Sequence, residues 1–448
     1  MNRTELRGAL SLALIYLMRM LGLFMVMPVL ALMVQDYPDY SVMWLGLAIG
    51  AYGFTQAILQ IPMGMWSDRI GRKKVIVAGL VLFASGSLLA ATAESMWLLT
   101  LGRMLQGAGA IAGAVMALAA DISREQQRSK VMAVIGIAIG FSFYLSLILG
   151  PIVSGDFGLS GIFYLTFGLA LAGIPVVLFM VPNAVAGAPN GDTLPARQHI
   201  KSMLQDKALL TLNISVMFLH ALITMMFVQL PGKLVASGWV LEEHWLVYLP
   251  VLLMSIVGMA ILMGLQRKLN INKLLMLAVW CLTLSLASLA IILPQGWGLL
   301  AWVVVFFIGF NFLEANFPAL VSSLAPAGRK GTAMGLFASF QFFGAFLGGV
   351  LSGLLLNIVS GEMLLGIMAV VCIGWSLLFM SFDSAGRTQR YTLSFKLAGR
   401  TLEEVRSGFA QLNGVQDFSI VPDESAVYLK VDGKQFDVQQ ARQLADPG

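Results

Sequence analysis

Apolar runs long enough to cross a bilayer recur along this chain from its start to about residue 382. No other feature constrains the fold as much, because a hydrocarbon core of ~30 Å is matched by about 20 apolar residues in a helix. The runs predict twelve spans, at 9–34, 43–66, 73–93, 96–120, 131–155, 160–182, 208–232, 244–265, 272–293, 297–324, 331–357 and 361–382. Composition agrees, since 58% of the 448 residues are hydrophobic and 11% are charged, where a soluble chain carries about 25%. That balance excludes a soluble globular enzyme. The first run is too long for the apolar core of a cleaved signal and lacks a small-residue cleavage site, so it is expected to stay as a helix.

The loops orient the spans. One side of the membrane collects seventeen Lys and Arg, against Lys233 alone on the other, which carries acids such as Asp36, Glu94, Asp156 and Glu242. Basic loops stay in the cytoplasm. Both termini are therefore expected there, in a multi-pass protein of a bacterial inner membrane. The net charge of +5 then reflects topology, so the expected partners include the lipid bilayer and exclude nucleic acid. Cys281 and Cys372 lie inside apolar runs with no metal-ligand or redox spacing and read as buried thiols. No cofactor or metal is expected.

A polar stretch at 183–207 divides the spans six and six, giving expected halves 1–182 and 208–385. GMWSDRIGRKK from Gly64 and GLQRKLNINKL from Gly264 join the second and third spans of their respective halves, with Lys73 and Lys273 at matching offsets. Two such halves around a central site are a common transporter plan. After about residue 385 the chain turns polar, and 386–448 reads as a small cytoplasmic domain. Strands are predicted at 391–397, 415–421 and 426–432, and helices at 401–412 and 436–444, giving β-α-β-β-α in a ferredoxin-like pattern. The fold class is thus an all-α, twelve-helix membrane protein with an α+β tail. The tail has neither cysteine nor histidine, and a regulatory ligand, self-association or a stabilising role all remain open for it.

Gly64, Asp68, Arg69, Gly71, Arg72 and Lys73 form a Gly-x-x-x-Asp-Arg-x-Gly-Arg-Lys pattern between spans 2 and 3. This resembles the signature loop of the major facilitator superfamily. Arg103-x-x-Gln106-Gly107-x-Gly109 in span 4 is similar to the second motif of that family. Gly150-Pro151-x-x-Ser154-Gly155 in span 5 is similar to its antiporter motif, with Ser154 in place of one glycine. Together with the tail, the pattern resembles the drug/proton antiporter group. The resemblance implies a charge latch holding the halves together when the cavity opens outward. In that latch Asp68 faces the N-terminus of span 11 and Arg72 pairs with Asp121.

Ionisable groups at membrane depth are expensive and usually have a partner or a task. Glu314 in span 10 can take up and release a proton, because burial favours the neutral carboxyl. The structural alternative is a hydrogen bond to Asn311 or Gln341. His220 in span 7 can share that proton or bond between helices. Arg103 resembles the family arginine linked to proton handling, with packing on a buried acceptor as the alternative, while Arg19 is read first as snorkelling toward the nearer surface, with a cavity-lining role left open. Tyr52, Gln56 and Gln60 recur every four residues on one face of span 2, which is expected to look inward.

The reading is a secondary transporter, not an enzyme, exporting a small amphipathic molecule against proton entry by alternating access. The alternatives are an importer of the same fold and a membrane sensor that uses the tail.

Overall fold

The computed structural model describes residues 1–182, 197–292, 295–327, 329–380, 382, 388–397, 399–422, 425–432 and 435–446. Most of the predicted 183–207 connection, namely 183–196, lies outside them. Its end is a short helix, Arg197–Gln205.

Among the described residues eleven helices are long and apolar enough to cross a membrane, and one of them does so twice. That helix, Glu125–Pro175, has 51 residues, which would run ~77 Å if straight, more than twice the hydrocarbon thickness. It breaks at Gly158, whose φ of 67° is a left-handed conformation that side chains with a Cβ rarely adopt. Spans 5 and 6 are its two arms, and span 6 ends in a π turn, Val176–Met180.

The others are span 1 (Arg3–Phe24, with Leu30–Met33 beyond a turn), span 2 (Val42–Ile70), span 3 (Arg72–Ala91) and span 4 (Met96–Ala108 and Ala112–Asp121). The second half has span 7 (Lys207–Ala236), span 8 (His244–Leu265), span 9 (Ile271–Ile291), span 10 (Gly296–Leu324), span 11 (Lys330–Leu355) and span 12 (Gly361–Leu378). Span 1 starts earlier than predicted because Asn2 and Glu5 form a capping box that satisfies its first amides. Span 4 is broken where one run was predicted. A Cβ on Gly109 would stand 2.3 Å from the Gly79 carbonyl of span 3, so the glycine admits a close backbone approach at the break.

Apolar side chains fill both halves, which meet most extensively along spans 2 and 11 and again where span 8 packs on the helix of spans 5 and 6. Small residues build that seam. A Cβ on Gly46 would lie 2.2 Å from the Gly349 carbonyl, and one on Gly53 would lie 2.5 Å from the Phe342 carbonyl. These residues belong to the end of the bundle that carries the acidic loops. Gly155 packs on Glu242 of the other half at the same end. Toward the basic end a Cβ on Gly136 or Gly140 of span 5 would meet nothing within 4 Å.

The tail forms the predicted β-α-β-β-α order: β1 (Thr388–Ser394), α1 (Leu402–Gln411), β2 (Val415–Val421), β3 (Ala426–Asp432) and α2 (Val438–Ala445). The sheet order is β1-β3-β2, antiparallel throughout. Side chains alternate along β3. Val427, Leu429 and Val431 enter a core with Val405, Phe409 and Ala441 of the two helices. Ala426 and Tyr428 face the other way, onto Ala327 in the loop between spans 10 and 11.

Candidate functional site

Most of the intramembrane polar side chains singled out in the sequence form two clusters, one per half. In the first, span 2 carries its glutamines inward as its four-residue spacing requires. Arg19 Nη2 donates to Gln56 Oε1 at 2.8 Å and to the Gly109 carbonyl at 2.9 Å. Gln56 passes the chain on, donating to Gln60 Oε1 at 2.7 Å. The span 4 break places the Gly109 carbonyl where Arg19 reaches it. Arg103 Nη1 donates to Gln106 Oε1 at 2.8 Å, one turn along span 4, and Gln106 Nε2 donates to Ser87 Oγ of span 3 at 2.8 Å. Arg103 also stacks over the Tyr52 ring, 5.3 Å from its centroid, and Arg19 over Phe83 at 5.6 Å. Tyr52 in turn meets Phe342 of span 11 edge-on at 6.2 Å.

Arg19 is 1% exposed and bonded deep in the bundle, which overturns its reading as a snorkelling residue. This central place is nearer to the cavity-lining alternative. The available signal was an arginine two to three turns inside a span, opposite a glutamine stripe and far from any acid.

The second cluster joins spans 7, 10 and 11. Gln341 Nε2 donates to Glu314 Oε1 at 3.1 Å and lies 2.7 Å from His220 Nε2. His220 Nδ1 sits 3.2 Å from the Val216 carbonyl one turn back. Those contacts fit one tautomer, with the proton on Nδ1 and Nε2 accepting from Gln341. Glu314 Oε2 is 3.8 Å from His220 Nε2, and among the described residues it has no hydrogen-bond partner. Asn311, one turn before Glu314, turns instead to Ser255 of span 8 at 3.0 Å.

The charged loop occupies the basic end. Gly71, at φ 102°, turns span 2 into span 3. Arg72 pairs with Asp68 and, at 3.1 Å, with Asp121 at the end of span 4, and it donates to Ser67 Oγ at 2.7 Å. Lys73 Nζ donates to the Val181 carbonyl beyond span 6 at 2.7 Å, and Arg69 is exposed. Gly64 lets span 4 approach, since a Cβ on Gly113 would lie 3.2 Å from its Cα. All these contacts stay within the first half. Asp68, expected against the N-terminus of span 11, turns here to Arg72. Among the antiporter-like residues, Gly150 packs on the Met25 carbonyl of span 1, Ser154 donates to the Pro151 carbonyl, and Gly155 lies at the seam. A pair missed by the sequence reading, Glu5 and Arg124 at 2.8 Å, ties the start of span 1 to the loop after span 4.

Three comparisons bear on these arrangements. The chain is 36% identical to the inner membrane transport protein YajR of Escherichia coli (strain K12), over 98% of each chain. It is 27% identical to the multidrug resistance protein MdtH of Aeromonas salmonicida, over 78% of this chain and 86% of that one. Its fold matches a bacterial homolog of the human lysosomal transporter Spinster, solved in an inward-facing and occupied conformation. That match has a TM-score of 0.71 and 12% identity, and covers 86% of this chain and 98% of that chain. The relatives are transporters and not enzymes, and the match to an inner-membrane protein agrees with the spans. A profile described as Major Facilitator Superfamily matches residues 12–349, and the chain belongs to that family, as a multi-pass inner-membrane transporter.

Proposed function

We propose that this transporter couples proton entry to export of a small amphipathic molecule. The Glu314–His220–Gln341 cluster carries the proposal. It holds two groups that can exchange a proton in the membrane interior, and one member, Gln341, stands beside Phe342 on the helix that forms the seam. A proton that changes how Glu314 and His220 share Gln341 therefore acts on span 11. The drug-resistance relative supports the direction of transport.

In this reading the basic end and both termini face the cytoplasm. The seam at the acidic end then makes this the inward-open state. The first half is 1–182, the second 208–385, and 386–448 is a cytoplasmic domain. On reversal the basic end closes. Asp68 is then set against the N-terminal end of span 11, where the helix dipole favours a carboxylate. Arg72 stays on Asp121, and Gly64 and Gly71 keep the loop close. Asp68→Asn would then favour the inward-open state, read as greater labelling of cysteines placed near the basic end. Unchanged labelling would remove the latch.

The deciding experiment uses proteoliposomes with a trapped pH-sensitive dye and an imposed pH gradient. Wild type should show proton flux when substrate is added, and Glu314→Gln should not. Equal flux in both would remove Glu314 as the proton carrier.

A further inference from the structure

The first-half cluster is a permanent cation without a counter-ion. A guanidinium does not lose its proton in proteins, so neither Arg19 nor Arg103 can be neutralised by titration. Both are buried, at 1% and 2% exposure. Among the described residues no carboxylate lies within 4 Å of either. The acids of the first half are occupied elsewhere or lie at its ends: Asp68 and Asp121 hold Arg72, Glu5 holds Arg124, and Asp39 accepts from the amides that open span 4. Glu314 belongs to the other half and is bonded to Gln341.

The hydrogen bonding leaves the same imbalance. Both bonds of Arg19 use Nη2, while Nε and Nη1 are buried and have no acceptor among the described residues. The Tyr52 hydroxyl is likewise buried and unpartnered, and its ring lies against Arg103. A buried charge with unmet donors is costly, and an oxyanion at that place would offset that cost. The surroundings are aromatic: Phe83 under Arg19, Tyr52 beside Arg103, and Phe342 from the opposite half. Tyr52 meets Phe342 at the seam, so parting spans 2 and 11 uncovers this wall from between the halves.

We propose that Arg19 and Tyr52 form an anion-recognition wall, and that the transported molecule is a small organic anion with an apolar body. Its carboxylate or sulfonate accepts from Arg19 Nε and Nη1 and from the Tyr52 hydroxyl, and Arg103 adds a second positive charge. The apolar body lies against the aromatic rings. This inference rests on the transport reading above but not on proton coupling.

The test is binding to the purified full-length protein in nanodiscs, read as thermal stabilisation. The probes are benzoate, 2-naphthoate, octanoate and 2-naphthalenesulfonate, each at millimolar concentration, with the methyl ester and the size-matched primary amine of each carboxylate. At least one anion should stabilise wild type, with its ester and amine at least about tenfold weaker, as expected for a charge-assisted bond. Arg19→Gln should abolish the preference, and Arg19→Lys should keep it in weakened form. Stabilisation by amines or esters alone would overturn the proposal, as would silence across the anions or an anion response unchanged in Arg19→Gln. Should Arg19→Gln fail to fold, the charge preference of wild type and Arg19→Lys still decides. An intact anion response beside failed proton coupling would remove antiport and leave this site standing, whereas the reverse pattern would remove this site alone.

Discussion

The two halves solve the problem of polar groups in lipid in opposite ways. The first buries its polar side chains completely and fixes them with short bonds: Arg19 to Gln56 and Gly109, Gln56 to Gln60, Arg103 to Gln106, Gln106 to Ser87. Its charge is permanent. The second keeps its ionisable pair looser, with side-chain exposures of 35% for Glu314 and 16% for His220, and a contact of 3.8 Å between them. Its ionisable groups are a carboxyl and an imidazole, not guanidinium groups. A protein that must recognise a molecule needs a fixed field, and one that must be driven by protons needs a variable one. In the proposed cycle the two clusters lie on opposite sides of the seam, so recognition and drive would communicate through the packing between the halves, spans 2 and 11 foremost.

The comparison breaks most visibly at Glu314. Glu314→Gln keeps the shape and the bond to Gln341 but removes the exchangeable charge, so substrate-triggered proton flux should fall at least about a hundredfold while anion binding persists. A parallel loss of binding would show that the halves are not separable in this way. Next comes Arg103→Lys. A single ammonium can keep the charge but not the planar contact with Tyr52 together with the bonds to Gln106 and the Ala48 carbonyl. Transport should fall about tenfold with coupling stoichiometry unchanged, as for one charge-assisted bond lost. A changed stoichiometry would move Arg103 into the proton path. His220→Asn should cost less, about threefold, because Gln341 still holds Glu314. Its diagnostic is pH. Protonating Nε2 of His220 turns it from acceptor to donor, releasing Gln341 and drawing Glu314 Oε2 closer. Acidification should therefore alter wild-type transport more than that of His220→Asn, and identical pH profiles would leave His220 a packing residue.

Much of this was legible in the sequence because lipid imposes a simple code. Apolar length marks spans, basic loops mark one side, and a carboxyl such as Glu314 stands out against an apolar run. Gly71 and the loop charges were readable for the same reason, as polar punctuation between oily segments. The partners were not readable. Arg19 gave no local sign of reaching the Gly109 carbonyl, because that acceptor is presented by a helix break in another span. Asp68 was assigned across the halves, whereas here it pairs with Arg72 of its own half; in the proposed cycle its partner changes with the end that closes, and a sequence encodes both states at once. The tail was legible as strands and helices from period and turn residues, but nothing local distinguishes Tyr428, which covers a membrane-domain loop, from a residue facing water.

That loop sets the smallest and sharpest expectation. Asp417 Oδ2 accepts from the Ala327 amide at 2.9 Å, and Lys430 Nζ donates to the Leu324 carbonyl, the last of span 10, at 3.2 Å. A cation at a helix C-terminus meets both an unpaired carbonyl and the negative end of the helix dipole. Span 10 also carries Glu314, and span 11, which begins just beyond the loop, carries Gln341. The docked sheet thus holds the joint between the two helices that carry Glu314 and Gln341. The double substitution Asp417→Ala with Lys430→Ala removes at least these two bonds, of about 1 kcal/mol each, and leaves the apolar cores of both domains untouched. Amide exchange should rise in residues 325–332, while the central strand β3, paired on both sides, stays protected. Transport should change less than about twofold, because neither bond touches Glu314, His220 or Gln341. A larger change would make the tail a control element for the second half alone. Unchanged exchange at residues 325–332 would mean that Tyr428 and Ala426 hold the dock without their polar neighbours.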